Sequence, residues 1–382
     1  MKKLDFVRDI LFISFAGYFA QGSLYTMGSL MSKLFLLLIL GISIFYFLIT
    51  VISQDKKSLF YKGWTFFLIL NIIGFFLTGD FAKSHQFGMF KGVLTSSLVF
   101  YPAYYFASKG ALKSKHMLRF FVLMLPIAIF SFFSNASEIL SQRSSVSEDL
   151  VNNQAYGFVA LMPFVFLIKR RMLSIVVMAF IMFFIIQGAK RGAVITGAGG
   201  IVLFIYYQLR TINKKNKVKG YALTFIGISG LAFYANDFYK KNEYLISRMQ
   251  ELDEGGVSGR DIIFATIFNS WVQSDNLWNL IFGYGFAASW DIAGNFAHND
   301  WLELLSNFGL LGVTLYVIIF YAALKYIFNK QWTIDKRLLL LTVILSWFTI
   351  SLFSMGYTNL GNGYVRAILL AYLIGNKNKM LI

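Results

Sequence analysis

His298, in "NFAHNDWLELLSNFGLLG" (295–312), is one of only three histidines in a chain of 382 residues. An imidazole that titrates near neutrality can take a proton from a hydroxyl nucleophile. Three arginines belong to the same half of the chain: Arg191 in "QGAKRGA" (187–193), Arg248 in "NEYLISRMQEL" (242–252) and Arg260 closing "DEGGVSGR" (253–260). A guanidinium presents a planar fork that suits phosphate oxygens and keeps its charge. Arginines and a histidine on one face therefore point to phosphate chemistry or phosphate-linked transfer, with arginine stabilising a departing diphosphate as a metal does elsewhere. The chain has no cysteine, which excludes disulfides, thiolate metal sites and cysteine nucleophiles. The region carries no Asp-rich DxD motif and the chain no nucleotide-binding loop. No metal or cofactor is expected, and a lipid-carried donor fits better than a soluble nucleotide sugar.

Each of these residues also has a plainer explanation. Arg191 would serve as an interfacial arginine reaching headgroup phosphates. Arg260 would pair with Asp253 or Glu254. Asp300 and Glu303 have the spacing of an N-capping pair, which would leave His298 as a mere neighbour of a helix start. Arg248 reads as structural more readily than the other two arginines. Lys91 and Arg366 fall inside apolar runs, where an ionisable residue defaults to a functional hypothesis, although their places near the outer ends let them reach water. Arg119 is expected to snorkel, and His85 and His116 are given no role. Gly197, Gly199 and Gly200 suit close helix packing better than phosphate cradling.

The elements that must position these residues are membrane helices. The chain is 57% hydrophobic and 14% charged, with a mean hydropathy of +0.63. Stretches such as "LFLLLILGISIFYFLITVIS" (34–53) match the ~20 apolar residues that cross a bilayer core. Uninterrupted apolar runs imply helices, because a barrel would alternate. We place spans near 10–30, 34–53, 59–78, 87–107, 117–134, 153–168, 172–187, 192–209, 220–236, 302–324, 338–354 and 364–375. The expected fold is an all-α polytopic membrane protein of about twelve spans, one integrated unit over 1–382, with a retained first span instead of a cleaved signal.

The net charge of +17 is explained by orientation, with no nucleic acid required. Lys56, Lys57 and Lys62, Lys109 to Lys115, Lys169 to Arg171, Arg210 to Lys219, and Lys325 to Arg337 fall in alternate loops. The termini, with Lys2, Lys3, Lys377 and Lys379, join them. The positive-inside rule puts that set in the cytoplasm. Two outer segments break the pattern. The long loop of roughly 237–300 is exempt, since long loops cross regardless of charge. The short turn bearing Lys190 and Arg191 has no such exemption, and cations held outside against the bias suggest an anion to bind. Within the long loop, Leu245, Met249 and Leu252, and then Ile263, Phe264, Ile267, Phe268 and Trp271, have helical spacing; both segments read as amphipathic helices on the membrane or over the bundle.

In this order, "KRGA" opening a span, "SGR" heading an amphipathic segment, "FGYGF" (282–286) and "HNDWLELLSNFGLLG" (298–312) resemble the bacterial O-antigen polymerase and O-antigen ligase superfamily of membrane glycosyltransferases. The resemblance covers the second half of the chain by motif and the first half by topology. It implies a helical bundle similar to the GT-C class, in the bacterial inner membrane, with the outer loop roofing a cavity. It further implies metal-independent transfer of a glycan from an undecaprenyl-diphosphate carrier to an acceptor hydroxyl at the periplasmic face. Arg191 and Arg260 would then bind the diphosphate, Arg248 would assist, and His298 would be the base or orienting group. The acidic residue two places after the histidine and the asparagine before "FGLLG" look more like polymerases, which accept a second lipid-linked repeat unit and work beside a chain-length regulator. A ligase acting on lipid A core is the alternative, and a lipid-linked glycan flippase a second one.

Overall fold

A computed structural model describes residues 2–25, 28–53, 57–142, 152–211, 217–241, 260–329 and 331–376. All regular structure among them is helical. In chain order the helices are α1 (Lys2–Leu24), α2 (Leu30–Ile52), α3 (Leu59–Thr78), α4 (Ser84–Leu98), α5 (Phe100–Ser108), α6 (Ser114–Gln142), α7 (Ala155–Leu161) continued by a 3-10 turn (Met162–Leu167), α8 (Arg171–Gln187), α9 (Arg191–Thr211) and α10 (Lys217–Lys241). Three short helices follow, α11 (Arg260–Val272), α12 (Leu277–Phe282) and α13 (Ala288–Ala293). The chain closes with α14 (Asp300–Ile327), α15 (Ile334–Phe353) and α16 (Leu360–Gly375). Side-chain caps set several starts: Ser29 accepts from Ser32 N and Ser58 from Tyr61 N, each at 3.2 Å.

Six of these helices are long and apolar enough to cross a membrane: α2, α3, α6 over Ser114–Ala136, α9, α14 and α15. The other six expected spans fall on shorter or more polar elements. The run at 87–107 is divided between α4 and α5, and 153–168 is a helical turn pair finished as 3-10. Helices α8 and α16 have 17 and 16 residues, and α1 begins with Lys2, Lys3, Asp5, Arg8 and Asp9. The amphipathic segment expected over 242–252, with Arg248 in it, lies outside the described residues.

Helix α16 packs against α4 and α5, α1 against α2 and α6, α15 against α9, and α14 against α3, α12 and α15. The loops then divide between two ends. At one, Arg8 reaches the Ala111 carbonyl and, at 3.0 Å, His116 Nδ1. Lys57 lies over the Tyr104 ring at 5.8 Å, and Phe166 meets Tyr207 at 5.3 Å. At the opposite end Phe286 N donates to Thr78 Oγ1 at 2.8 Å, His85 stacks on Trp290 at 4.8 Å, and Asn152 N donates to Gly188 O at 2.9 Å.

Helix α14 is broken at Gly309, whose φ of 57° and ψ of −150° are not helical. The break frees carbonyls, and the "FGYGF" segment fills it. Tyr284 N donates to Ser306 O at 2.7 Å and Gly285 N to Asn307 O at 3.3 Å. The Asn307 side chain accepts from Ala288 N at 2.9 Å. A buried backbone carbonyl left unpaired would be costly, so the 284–288 segment and the break specify each other. A Cβ at Gly309 would come within 2.6 Å of the Leu280 and Ile281 backbone. Gly309→Ala combines that clash with a glycine-only backbone region and is expected to cost about 2–3 kcal/mol, read as a lowered melting temperature in detergent.

Around that plug, α11 and α12 expose Ile262, Val272, Leu277, Trp278 and Phe282. Ile267 is the inward centre of α11, flanked by half-buried Ile263, Phe264 and Trp271. Phe268, expected on the same face, is instead 46% exposed and joins the outward apolar set. Large aromatics presented outward beside a membrane bundle suit the headgroup interface.

Candidate active site

The end of α15 is the meeting point. Its last two carbonyls each receive a side chain from the outer segments: Asn299 Nδ2 donates to Leu352 O at 3.1 Å, and Arg260 Nη1 to Phe353 O at 2.9 Å. Trp301 Nε1 adds a bond to Ser351 Oγ at 3.0 Å. Helix C-terminal carbonyls carry partial negative charge, which explains why an arginine docks there. The bond uses one of its five donors, and no other hydrogen bond links its side chain to a described residue. Arg260 is therefore held by a backbone carbonyl; Asp253 and Glu254, its expected partners, lie outside the described residues.

Helix α9 starts at the same place. A Cβ on Gly192 would lie 3.1 Å from Phe353 Cβ and would collide with the Tyr156 hydroxyl. Its neighbour Arg191 is the first residue of α9, and Lys190 precedes it. Two cations thus stand at the positive end of a 21-residue helix that has no acidic residue in its first turn. The macrodipole disfavours cations at that end of a helix. Arg191 is half-buried and makes no ion pair with a described residue.

His298 precedes Asn299 and is half-buried, in the electrostatic field of both Arg260 and Lys190. Its backbone is left-handed, with φ of 50°; Ala189, just before the Lys190–Arg191 pair, has the same value. Left-handed backbone in residues other than glycine costs of order 1–2 kcal/mol each and gathers where structure serves a site. Here the chain turns so that the imidazole lies in the field of Arg260 and Lys190 while Asn299 caps α14 through bonds to Trp301 N at 2.9 Å and Leu302 N at 3.1 Å.

That cap corrects one expectation. Asp300 and Glu303 do not cap α14; both turn inward and are fully buried. Glu303 accepts two bonds from Ser289 Oγ, at 2.7 and 2.8 Å, and one from Ala297 N at 3.0 Å, tying the loop before His298 to α14. Asp300 accepts from Tyr316 Oη at 2.6 Å and from Gly356 N at 2.7 Å. Arg366 is buried rather than water-reaching: Nη2 donates to Gly356 O at 2.8 Å, and the guanidinium lies 4.6 Å from the Trp347 ring. Lys91 is exposed. Tyr156, which Arg260's charge also influences, is a site residue that no charge or motif signalled.

Burial, then the charges of Arg260 and Lys190, hold the His298 imidazole below its ordinary pKa. The ring is thus neutral and proton-accepting at pH 7, and the acid limb of any His298-dependent activity should fall below about pH 6.5. Removing a nearby cation makes protonation easier. Lys190→Ala is therefore expected to move that limb to higher pH, as measured by activity against pH in membranes; an unmoved limb would separate Lys190 from the imidazole.

The structure thus brings Arg260, His298 and the start of α9 with Arg191 around the Phe353 carbonyl, at one end of the bundle. Arg248 lies outside the described residues. No protein-family model matches the chain, and no curated protein is significantly similar to it.

Proposed function

We propose that the chain is a metal-independent glycosyltransferase that takes its donor from an undecaprenyl-diphosphate carrier and works at the outer end of the bundle. In the proposed step an acceptor hydroxyl attacks the anomeric carbon while the bond from that carbon to the diphosphate oxygen breaks. The hydroxyl proton passes to His298. The carrier diphosphate leaves with its charge met by Arg260, Arg191 and the α9 amino terminus. The observation that carries this reading is the convergence of two helix-starting arginines and a neutral, strained histidine on one helix end, where no carboxylate neutralises Arg260 among the described residues.

The acceptor is proposed to be a second lipid-linked repeat unit, making the protein an O-antigen or surface-polysaccharide polymerase of the bacterial inner membrane, with both termini cytoplasmic and a chain-length regulator as its partner. A deletion strain tests this. Loss of a polymerase leaves lipid A core carrying a single repeat unit, whereas loss of a ligase leaves the core bare while polymer accumulates on the carrier.

The flippase alternative draws on one observation, the broken helix α14, since interrupted helices are a device of transporters. Against it, the break is filled by the protein's own Tyr284 and Gly285 amides. In a flippase deletion the lipid-linked unit would accumulate on the cytoplasmic leaflet, which protection from an externally added glycosidase would reveal.

A further inference from the structure

A cavity of about 500 Å³ opens at the outer end between α1, α6, α7 and the start of α16. That volume lies within the ~300–1,000 Å³ of small-molecule sites. Its wall differs in chemistry from the arginine site. In a chain of net charge +17, the described lining residues include no Asp, Glu, Lys, Arg or His. Ser134, Asn135, Asn153 and Gln154 supply neutral donors and acceptors, and Phe19 and Tyr364, stacked with centroids 4.8 Å apart, supply aromatic surface. Among the described residues, the side-chain amides of Asn135, Asn153 and Gln154 bond to no protein group.

This wall discriminates. A phosphate would find no cation among the described lining residues to offset its desolvation. An acyl chain would strip water from carboxamides that then bond to nothing, which is costly. A neutral polyhydroxylated ligand satisfies the amides and hydroxyls and lays its C–H faces on the rings. The cavity also adjoins the arginine site through α7. Asn153, Gln154, Gly157 and Leu161 line the cavity, whereas Tyr156 meets Gly192 at the start of α9.

We infer that this cavity is a binding site for the neutral sugar units of a glycan, across α7 from the site that holds the diphosphate. The choice of a glycan as occupant rests on the proposed transferase reading; the disfavouring of anions and lipid chains rests on the described lining residues.

The absence of native cysteine permits a direct test. Ser134→Cys is introduced into the full chain, purified into phosphatidylethanolamine–phosphatidylglycerol nanodiscs, and its labelling by a water-soluble thiol reagent is timed. The competitors are neutral oligosaccharides released by mild acid from the source cell's own surface glycans and, separately, inorganic pyrophosphate. The oligosaccharides are expected to slow labelling about tenfold at saturation, and pyrophosphate to leave it unchanged. Gly157 lines the cavity and a Cβ there would meet nothing within 4 Å, so Gly157→Phe enters open space at its first atom; it should abolish the protection, with the melting temperature measured alongside to show that the fold is kept. Protection should persist in Arg260→Ala. The inference is overturned if no oligosaccharide protects, if pyrophosphate protects equally, or if protection survives Gly157→Phe. Polymer lost in Arg260→Ala without saccharide protection would remove the cavity assignment alone. Normal polymer in that variant with protection intact would instead remove the diphosphate site.

Discussion

Arg260→Ala and His298→Ala are each expected to abolish surface-polysaccharide assembly while the protein remains in the membrane at its normal level. For Arg260 the structural cost among the described residues is one bond, to Phe353 O, at a half-exposed position on a short helix. Loss of one hydrogen bond of this kind costs about 0.5–1.5 kcal/mol, too little to remove the protein. The loss of a preorganised cation opposite a leaving diphosphate is much larger, about 10²–10³ in rate for a single donor. Arg260→Lys keeps the charge and gives up the fork, so it too should fail if two phosphate oxygens are held at once. Full activity with lysine would reduce the requirement to charge. His298 offers an independent control, because its left-handed backbone suits glycine. His298→Gly should therefore melt no lower than the wild type and still make no polymer. Normal polymer on a gel of either variant, at normal expression, would falsify the site.

What could be read beforehand was the local chemistry, and what could not was the direction in which side chains turn. Lys190 and Arg191 were legible because loop charge has a rule and they break it. Arg260 and His298 stood out through rarity and motif, and α11 through its period. The capping pair misled because Asp300 and Glu303 fit the spacing of a cap; only the neighbouring loops decide whether a carboxylate meets its own helix or a buried amide. Gly356, Tyr357 and Ala297 supply those amides from segments that spacing does not connect. Tyr156 was invisible for the same reason, being one tyrosine among 21 until Gly192 brings α9 against it. The break at Gly309 was signalled only as glycine in an apolar run, a pattern shared with ordinary close-packed helices such as α9. Six of the twelve expected spans have the length and apolarity of a crossing helix among the described residues. Apolar runs report burial in lipid or in protein alike, so α5, with Phe100, Tyr101 and Phe106 buried inside the bundle, looks the same as a helix facing lipid.

Asp300→Ala is expected to be the most destabilising single substitution near the site. Asp300 is buried and takes bonds from Tyr316 Oη, Gly356 N and Tyr357 N, and Trp347 Nε1 in turn donates to Tyr316 Oη at 2.6 Å. A Cβ on Gly356 would meet Asp300 Oδ2 at 3.0 Å and Arg366 Nη1 at 3.3 Å, so carboxylate and guanidinium flank the same backbone position. Deleting the carboxylate leaves the Tyr316 O–H proton and two amides without their acceptor and Arg366 facing Gly356 without a counter-charge. Breaking such a buried set by removing one partner costs about 3–5 kcal/mol, enough to lower both melting temperature and steady-state membrane level. Asp300→Asn preserves the shape and one acceptor oxygen, so it should fold. Its effect is expected on activity instead, because Asp300 pins residues 356–357 just beyond the Leu352 and Phe353 carbonyls on which Asn299 and Arg260 dock. Arg366→Gln combined with Asp300→Asn removes both charges together. If the two act as a pair across Gly356, the double variant should recover about 1 kcal/mol or more relative to the sum of the singles. Strictly additive losses would show that Asp300 holds the 354–359 turn through its hydrogen bonds alone, with Arg366 serving Trp347 and the Gly356 carbonyl independently.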